Sequence, residues 1–121
     1  ILEKAAIAEL EKIVDIKRIL EILKSQGATL KSEEISLKTM KFFHSDGCHR
    51  CNETGYKGRI GIYEVLVIDT PLINKINQRA TVEDIKNYAI ENGMITMLQD
   101  GIVKAKNGIT TIEEVLRVTR E

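Results

Sequence analysis

Two thiols three positions apart, Cys48 and Cys51, are the side chains of this sequence best suited to chemistry. A C-x-x-C turn delivers two thiolates to one point, and structural zinc takes four ligands in a tetrahedron. Cys48 and Cys51 are therefore the predicted metal ligands, and they supply half of a site. His44, just before the pair, and His49, between its members, are the nearest groups that could complete it. Structural sites more often draw a second pair from a separate turn, so the competing expectation is a knuckle whose other half is absent. A redox dithiol is the weaker reading. A helix N-terminus would lower a thiol pKa, but Cys51 leads instead into the turn Thr54-Gly55-Tyr56-Lys57-Gly58. With only two cysteines in a chain that reads as cytoplasmic, a structural disulfide is not expected.

Other chemistries lack their residues. Nucleotide binding needs a phosphate cradle such as G-x-x-x-x-G-K-[ST], and no stretch supplies one. Gly55-Tyr56-Lys57-Gly58-Arg59 has glycines and basic side chains at the wrong spacing, and reads as a structural turn. Asp69, Asp84 and Asp100 stand beside helix ends, where capping and solvation account for them. No serine, histidine and acid arrangement occurs, so no catalytic centre is predicted. Met94, Met97 and Leu98 read as core filler, and Arg117 and Arg120 as partners of a helix dipole.

Composition narrows the partners. Eighteen basic side chains balance eighteen acidic ones, which leaves no long-range positive field to draw the chain to nucleic acid or anionic lipid. No apolar run is long enough to cross a bilayer, and Ile1-Leu2-Glu3-Lys4 does not resemble a signal peptide, so the expected location is the cytoplasm without membrane insertion. The chain lacks a starting Met, and Ile1 enters a helical pattern directly, so it is expected to come from something longer. At 121 residues, 43% hydrophobic and 30% charged, it has the balance of one domain or two small subdomains with a modest core, not of a disordered segment.

The elements that must position the thiols emerge from periodicity. Leu2 to Leu23 carries apolar residues near a helical period, one or two amphipathic helices ending near Gly27. Lys31 to Lys38 is a polar connection. Met40 to His44 and Arg59 to Val67 carry the β-branched and aromatic residues of strands, and an antiparallel pair of them would hold the cysteines on its loop. Four capped helices are predicted after Ile68. The first begins at Thr70-Pro71 with Leu72, Ile73 and Ile76 buried, and the second at Thr81 with Val82, Ile85 and Ala89 on one side, stopping at Asn92-Gly93. The third runs from Thr96, with Gln99 in capping-box register, through Leu98, Ile102 and Ala105 to Asn107-Gly108, and the last from Thr110 or Thr111 with Ile112, Val115 and Leu116 inward. The expected class is mainly α: amphipathic helices, a small β-hairpin carrying a cysteine knuckle, then a compact C-terminal helical bundle. Its expected division is a helical and knuckle subdomain at 1–68 and a helical subdomain at 69–121.

Gly47-Cys48-His49-Arg50-Cys51-Asn52-Glu53-Thr54-Gly55-Tyr56-Lys57-Gly58-Arg59-Ile60-Gly61-Ile62-Tyr63-Glu64-Val65 resembles the distal cysteine pair of the type II secretion and type IV pilus assembly ATPases. Gly93-Met94, Asp100-Gly101-Ile102-Val103-Lys104 and Gly108 through Thr119 resemble that family's C-terminal end, in the same order. The two stretches span about three-fifths of the chain. The resemblance implies a cytoplasmic homo-hexamer, peripheral to the inner membrane, that uses ATP and magnesium to drive pilus or pseudopilus assembly through an inner-membrane platform protein. That family's phosphate loop, acidic boxes and histidine box lie upstream and are absent here, so this chain is expected to be a non-catalytic C-terminal fragment that does not hydrolyse ATP by itself. Its first C-x-x-C is also missing from residues 1–46, so zinc binding is expected to be weak or nil. Retraction ATPases generally lack the knuckle, which favours assembly or secretion. The alternative is a stand-alone zinc-knuckle adaptor or binding module. Cys48-x-x-Cys51-x-x-Thr54-Gly55 is similar to one repeat of the zinc domain of J-domain chaperones, which needs several, and the balanced charge counts against a nucleic-acid adaptor.

Overall fold

Asp15 starts a helix by accepting the Lys17 and Arg18 amides at 2.9 and 3.4 Å, which satisfies donors that a first turn cannot pair internally. In this computed structural model, which describes Leu10, residues 14–26 and residues 39–119, that helix is α1, Ile16–Ser25. It buries Ile19, Ile22 and Leu23, one stripe at helical spacing. The earlier part of the Leu2-to-Leu23 pattern (Leu10 and Val14 aside), the stop at Gly27, the connection at 31–38 and Arg120 lie outside the described residues.

Four further α-helices follow among the described residues. In α2, Thr70–Asn77, Asp69 is the N-cap, taking the Leu72 amide at 2.9 Å, and Thr70 is already helical, so the cap falls one position before the expected one. Only Leu72 of its expected apolar face is buried; Ile73 and Ile76 are exposed. Thr81 caps α3, Val82–Glu91, through a reciprocal pair with Asp84 at 3.1 Å in each direction. Ala89 is buried, Ile85 half-buried and Val82 exposed. Thr96 and Gln99 form the expected box at the start of α4, Met97–Lys106. Thr111 takes the Glu114 amide at 3.3 Å at the start of α5, Ile112–Thr119.

The core joins α1, α4 and α5. Ile19, Leu23, Ile102, Ala105, Ile112 and Val115 are buried in one cluster with Leu10, Val14 and Met40. Burying a side chain the size of Ile102 stabilises by about 1.5–3 kcal/mol relative to leaving it in water. Gly101 lets α4 and α5 close on each other: a Cβ there would lie 2.5 Å from Val115 Cγ1. Arg18 ties α1 to the end of α3, donating from Nη2 to the Ile90 carbonyl at 2.8 Å and more weakly to that of Met94 at 3.4 Å. These are C-terminal carbonyls, where a cation is favoured by the helix dipole.

The expected β-hairpin is not present. Among the described residues the structure is mainly helical, with five α-helices, a short 3-10 turn at His49–Cys51 and no strand. The alternation of Met40 and Phe42 is spent on the helical core instead of a partner strand. Residues 59–68 are held at two points: Tyr63 N–H donates to Asp100 Oδ2 at 2.8 Å, and the Glu64 carboxylate accepts the Met97 amide at 3.2 Å. Tyr63, Val65 and Val67 remain 66–72% exposed. A β-branched run prefers a pleated, half-covered surface, and this one packs against no neighbouring strand.

Candidate functional site

The two cysteines sit at the ends of a single tight turn. Within it Cys51 N–H donates to the Cys48 carbonyl at 3.0 Å, and the same carbonyl accepts the Glu53 amide at 3.0 Å. Asn52 and Glu53 then take left-handed conformations, φ 52° and 61°, which reverse the chain within two residues. Thr54 closes the turn with its hydroxyl on the Cys51 carbonyl at 2.6 Å. The reversal brings Gly47 against Glu53, where a Cβ would lie 2.3 Å from the Glu53 carbonyl oxygen.

This turn aims amide hydrogens at one sulfur. Cys48 N–H and Gly55 N–H point at Cys51 Sγ from 3.1 and 3.2 Å, and Cys48 Sγ lies 3.5 Å away. The Cys48 amide above all, then that of Gly55, lowers the Cys51 thiol to about 7 against a partial burial that works the other way. The turn thus does what a helix N-terminus does for other thiols. The sequence feature beside it is Gly55, four residues after Cys51, whose amide meets the sulfur and whose φ is +78°.

The geometry fits half a metal site. Two thiolates on one tetrahedral zinc, each about 2.3 Å from it, stand roughly 3.8 Å apart, close to the separation found here. The donor set does not extend further. Among the described residues no group of three or more His, Cys, Asp or Glu side chains could hold a metal ion. His44 Nε2 stands 3.6 Å from Asp46, and His49 Nδ1 3.5 Å from Glu53, with both imidazoles turned to solvent. The two candidate histidines are therefore not gathered with the thiols.

The knuckle is fastened to the helical end. Ser45 Oγ donates to the Gly55 carbonyl, and the Tyr56 hydroxyl bonds Thr111 Oγ1 at 2.7 Å. Thr111 is the cap of α5, so a residue of the cysteine segment meets the Thr-Thr stretch 55 positions away. A cleft of about 670 Å³ lies between the Gly55–Arg59 turn and α5. Arg117 on its wall is forked onto Glu114 at 2.8 and 2.6 Å, which raises the guanidinium and lowers the carboxyl. The Tyr56–Thr111 contact is not legible in the sequence, because it depends on how α5 lies against the turn, whereas Glu114 and Arg117 stand three residues apart on one helix.

The scattered aspartates do structural work. Asp69 accepts the Tyr88 hydroxyl at 2.7 Å as well as the Leu72 amide, and these bonds hold it below its ordinary value. Asp84 is lowered by its bonds with Thr81. Asp100 pairs with Lys104, whose ammonium also stands 5.0 Å from the centre of the Tyr63 ring. A second cleft, about 350 Å³ and mainly apolar, opens between Tyr63, Val65 and Val67 and the end of α3 at Tyr88, Gly93 and Met94. Of the three expected core fillers, Leu98 packs half-buried against the core, Met94 is half-buried and Met97 is 47% exposed.

Residues 5–117 match the family described as type II/IV secretion system protein. The type IV pilus assembly ATPase PilB of Thermus thermophilus is 39% identical over 108 residues, covering 89% of this chain and 12% of that protein. The type II secretion system protein HxcR of Pseudomonas aeruginosa is 44% identical over 62% of the chain and 16% of its own length. The type II secretion system ATPase E of Vibrio cholerae is 38% identical over 65% of the chain, again 16% of its length. The chain thus spans about one-eighth to one-sixth of the length of these relatives.

Proposed function

We propose that this chain, which belongs to the type II/IV secretion system protein family, is a non-catalytic C-terminal part of an ATPase that powers type II secretion or type IV pilus assembly. One observation carries the reading: the likeness runs nearly the length of the chain, yet takes up only 12% of a relative named as an assembly ATPase. The lack of a phosphate cradle in the sequence supports it, since hydrolysis then falls to the remaining part. So does the bare apolar run from Tyr63 to Ile68, which is the kind of surface another body covers.

In this reading the intact protein is a cytoplasmic homo-hexamer at the inner membrane. It binds ATP and magnesium upstream of Ile1 and works against a membrane platform protein. Residues 1–68 carry the knuckle and residues 69–121 the helical end. No helix among the described residues is long and apolar enough to cross a membrane. Cys48 and Cys51 hold zinc only where a second cysteine pair of the same protein completes the tetrahedron; zinc there would cross-link two turns and perform no reaction. The chain alone binds zinc weakly or not at all.

The deciding experiment reads the gene upstream of Ile1 and assays ATP hydrolysis by this chain and by the full reading frame. A phosphate loop upstream, with hydrolysis by the long form alone, is the expected result. A reading frame without that loop, or hydrolysis by the isolated chain, would overturn the proposal.

A further inference from the structure

We propose that Cys48 and Cys51 close into a reversible intramolecular disulfide by exchange with a low-molecular-weight disulfide of the glutathione class, which makes the knuckle a thiol-redox site. The inference stands on the arrangement of the two sulfurs and does not depend on the family reading. They already lie in contact at 3.5 Å on one exposed turn, and a bond requires about 2.05 Å. The thiol groups differ in access: Cys48 is exposed and Cys51 half-buried. Cys51 Sγ is held facing Cys48 by the Cys48 and Gly55 amides, so the inner sulfur is aimed at the outer one.

The steps balance. Cys48, as the thiolate, attacks one sulfur of oxidised glutathione; the glutathione S–S bond breaks and one glutathione thiolate leaves. Cys51 Sγ, as the thiolate, then attacks Cys48 Sγ. The Cys48–Cys51 bond forms as the Cys48–glutathione bond breaks, and a second glutathione thiolate leaves. The two protons lost by the protein thiols end on the two glutathione thiols. One protein dithiol is oxidised and one small disulfide reduced. Because both sulfurs are consumed, the closed form has no thiolate left for a metal.

The test equilibrates the metal-free 121-residue chain in glutathione buffers from fully reduced to fully oxidised. The products are trapped in acid, alkylated and weighed by mass spectrometry. The expected product in oxidising buffer is a monomer lighter by two hydrogens that alkylates at neither cysteine and reopens in reduced glutathione. Cys51→Ser should stop at a single glutathione adduct on Cys48, and Cys48→Ser at a single adduct on Cys51, with no disulfide closed within either chain. Circular dichroism controls for folding; both substitutions lie in the turn, outside the helical core. A wild-type chain that keeps both thiols, carries glutathione on each cysteine, or links two chains would overturn the proposal.

Discussion

The α4–α5 pair and the run from Ile60 to Ile68 are both rich in apolar residues, and their fates are opposite. In the helices these residues recur at helical spacing, so Ile102, Ala105, Ile112 and Val115 all turn one way, and Gly101 lets the two stripes touch. In the run Tyr63, Val65, Leu66, Val67 and Ile68 come almost without interruption, and all are exposed. An apolar stripe can be buried by one neighbour. An apolar run without period has no polar side to leave in water, and needs cover on both faces. The helical end therefore makes its own core, while the run is held only by a few polar tethers to Asp100, Lys104 and the Met97 amide.

Four measurements press on that difference. Ile102→Ala removes a fully buried side chain from the centre of the core; it should destabilise by about 2–5 kcal/mol in denaturant titration, and a loss under about 1 kcal/mol would mean that α4 and α5 are not the stable end. Tyr56→Phe deletes the hydroxyl that joins the knuckle to Thr111. Its expected cost is about 1 kcal/mol, with faster amide exchange across residues 48–58 and little change within α4. Asp69→Asn should cost stability at neutral pH, a cost that shrinks in acid. The folded-state carboxyl titrates below its ordinary value near 3.8, because it accepts from Tyr88 and Leu72. Its contribution is complete above the unfolded value and fades as pH falls through the lower folded one. The wild type should lose melting temperature across that window more steeply than the variant. Val67→Lys, at a position 72% exposed, should alter the stability of this chain by less than about 0.5 kcal/mol, yet impair association in the longer protein proposed above. A larger loss in the isolated chain would show the run to be packed after all.

Periodicity and caps make most of the helical end legible in the sequence. Thr81, Thr96 and Thr111 cap the helices they are expected to start, and Ile112, Val115 and Leu116 face inward. At Thr70 the expectation misses by one position because Asp69 is an equally good cap and its side chain reaches the Leu72 amide. The hairpin fails for a different reason. Residue type marks a β-prone run but carries nothing about whether a second strand is available, and the Met40 segment gives its apolar side chains to the helices. At the site, spacing identifies the two thiols and their shortage of partners. The amides that hold Cys51 depend on left-handed Asn52 and Glu53, conformations for which Glu gives no warning.

The bond from Arg18 to Ile90 joins positions 72 residues apart. Loop closure over such a distance costs more entropy than bringing α4 and α5 together, so the C-terminal helices are expected to pair before α1 docks on them, an order that pulsed hydrogen exchange during refolding would check. On a ribosome the order of appearance is the reverse. At roughly 5–20 residues per second, α1 emerges on the order of ten seconds before the surface it packs against exists. During that interval the stripe of Ile19, Ile22 and Leu23 has no folded partner among α4 and α5.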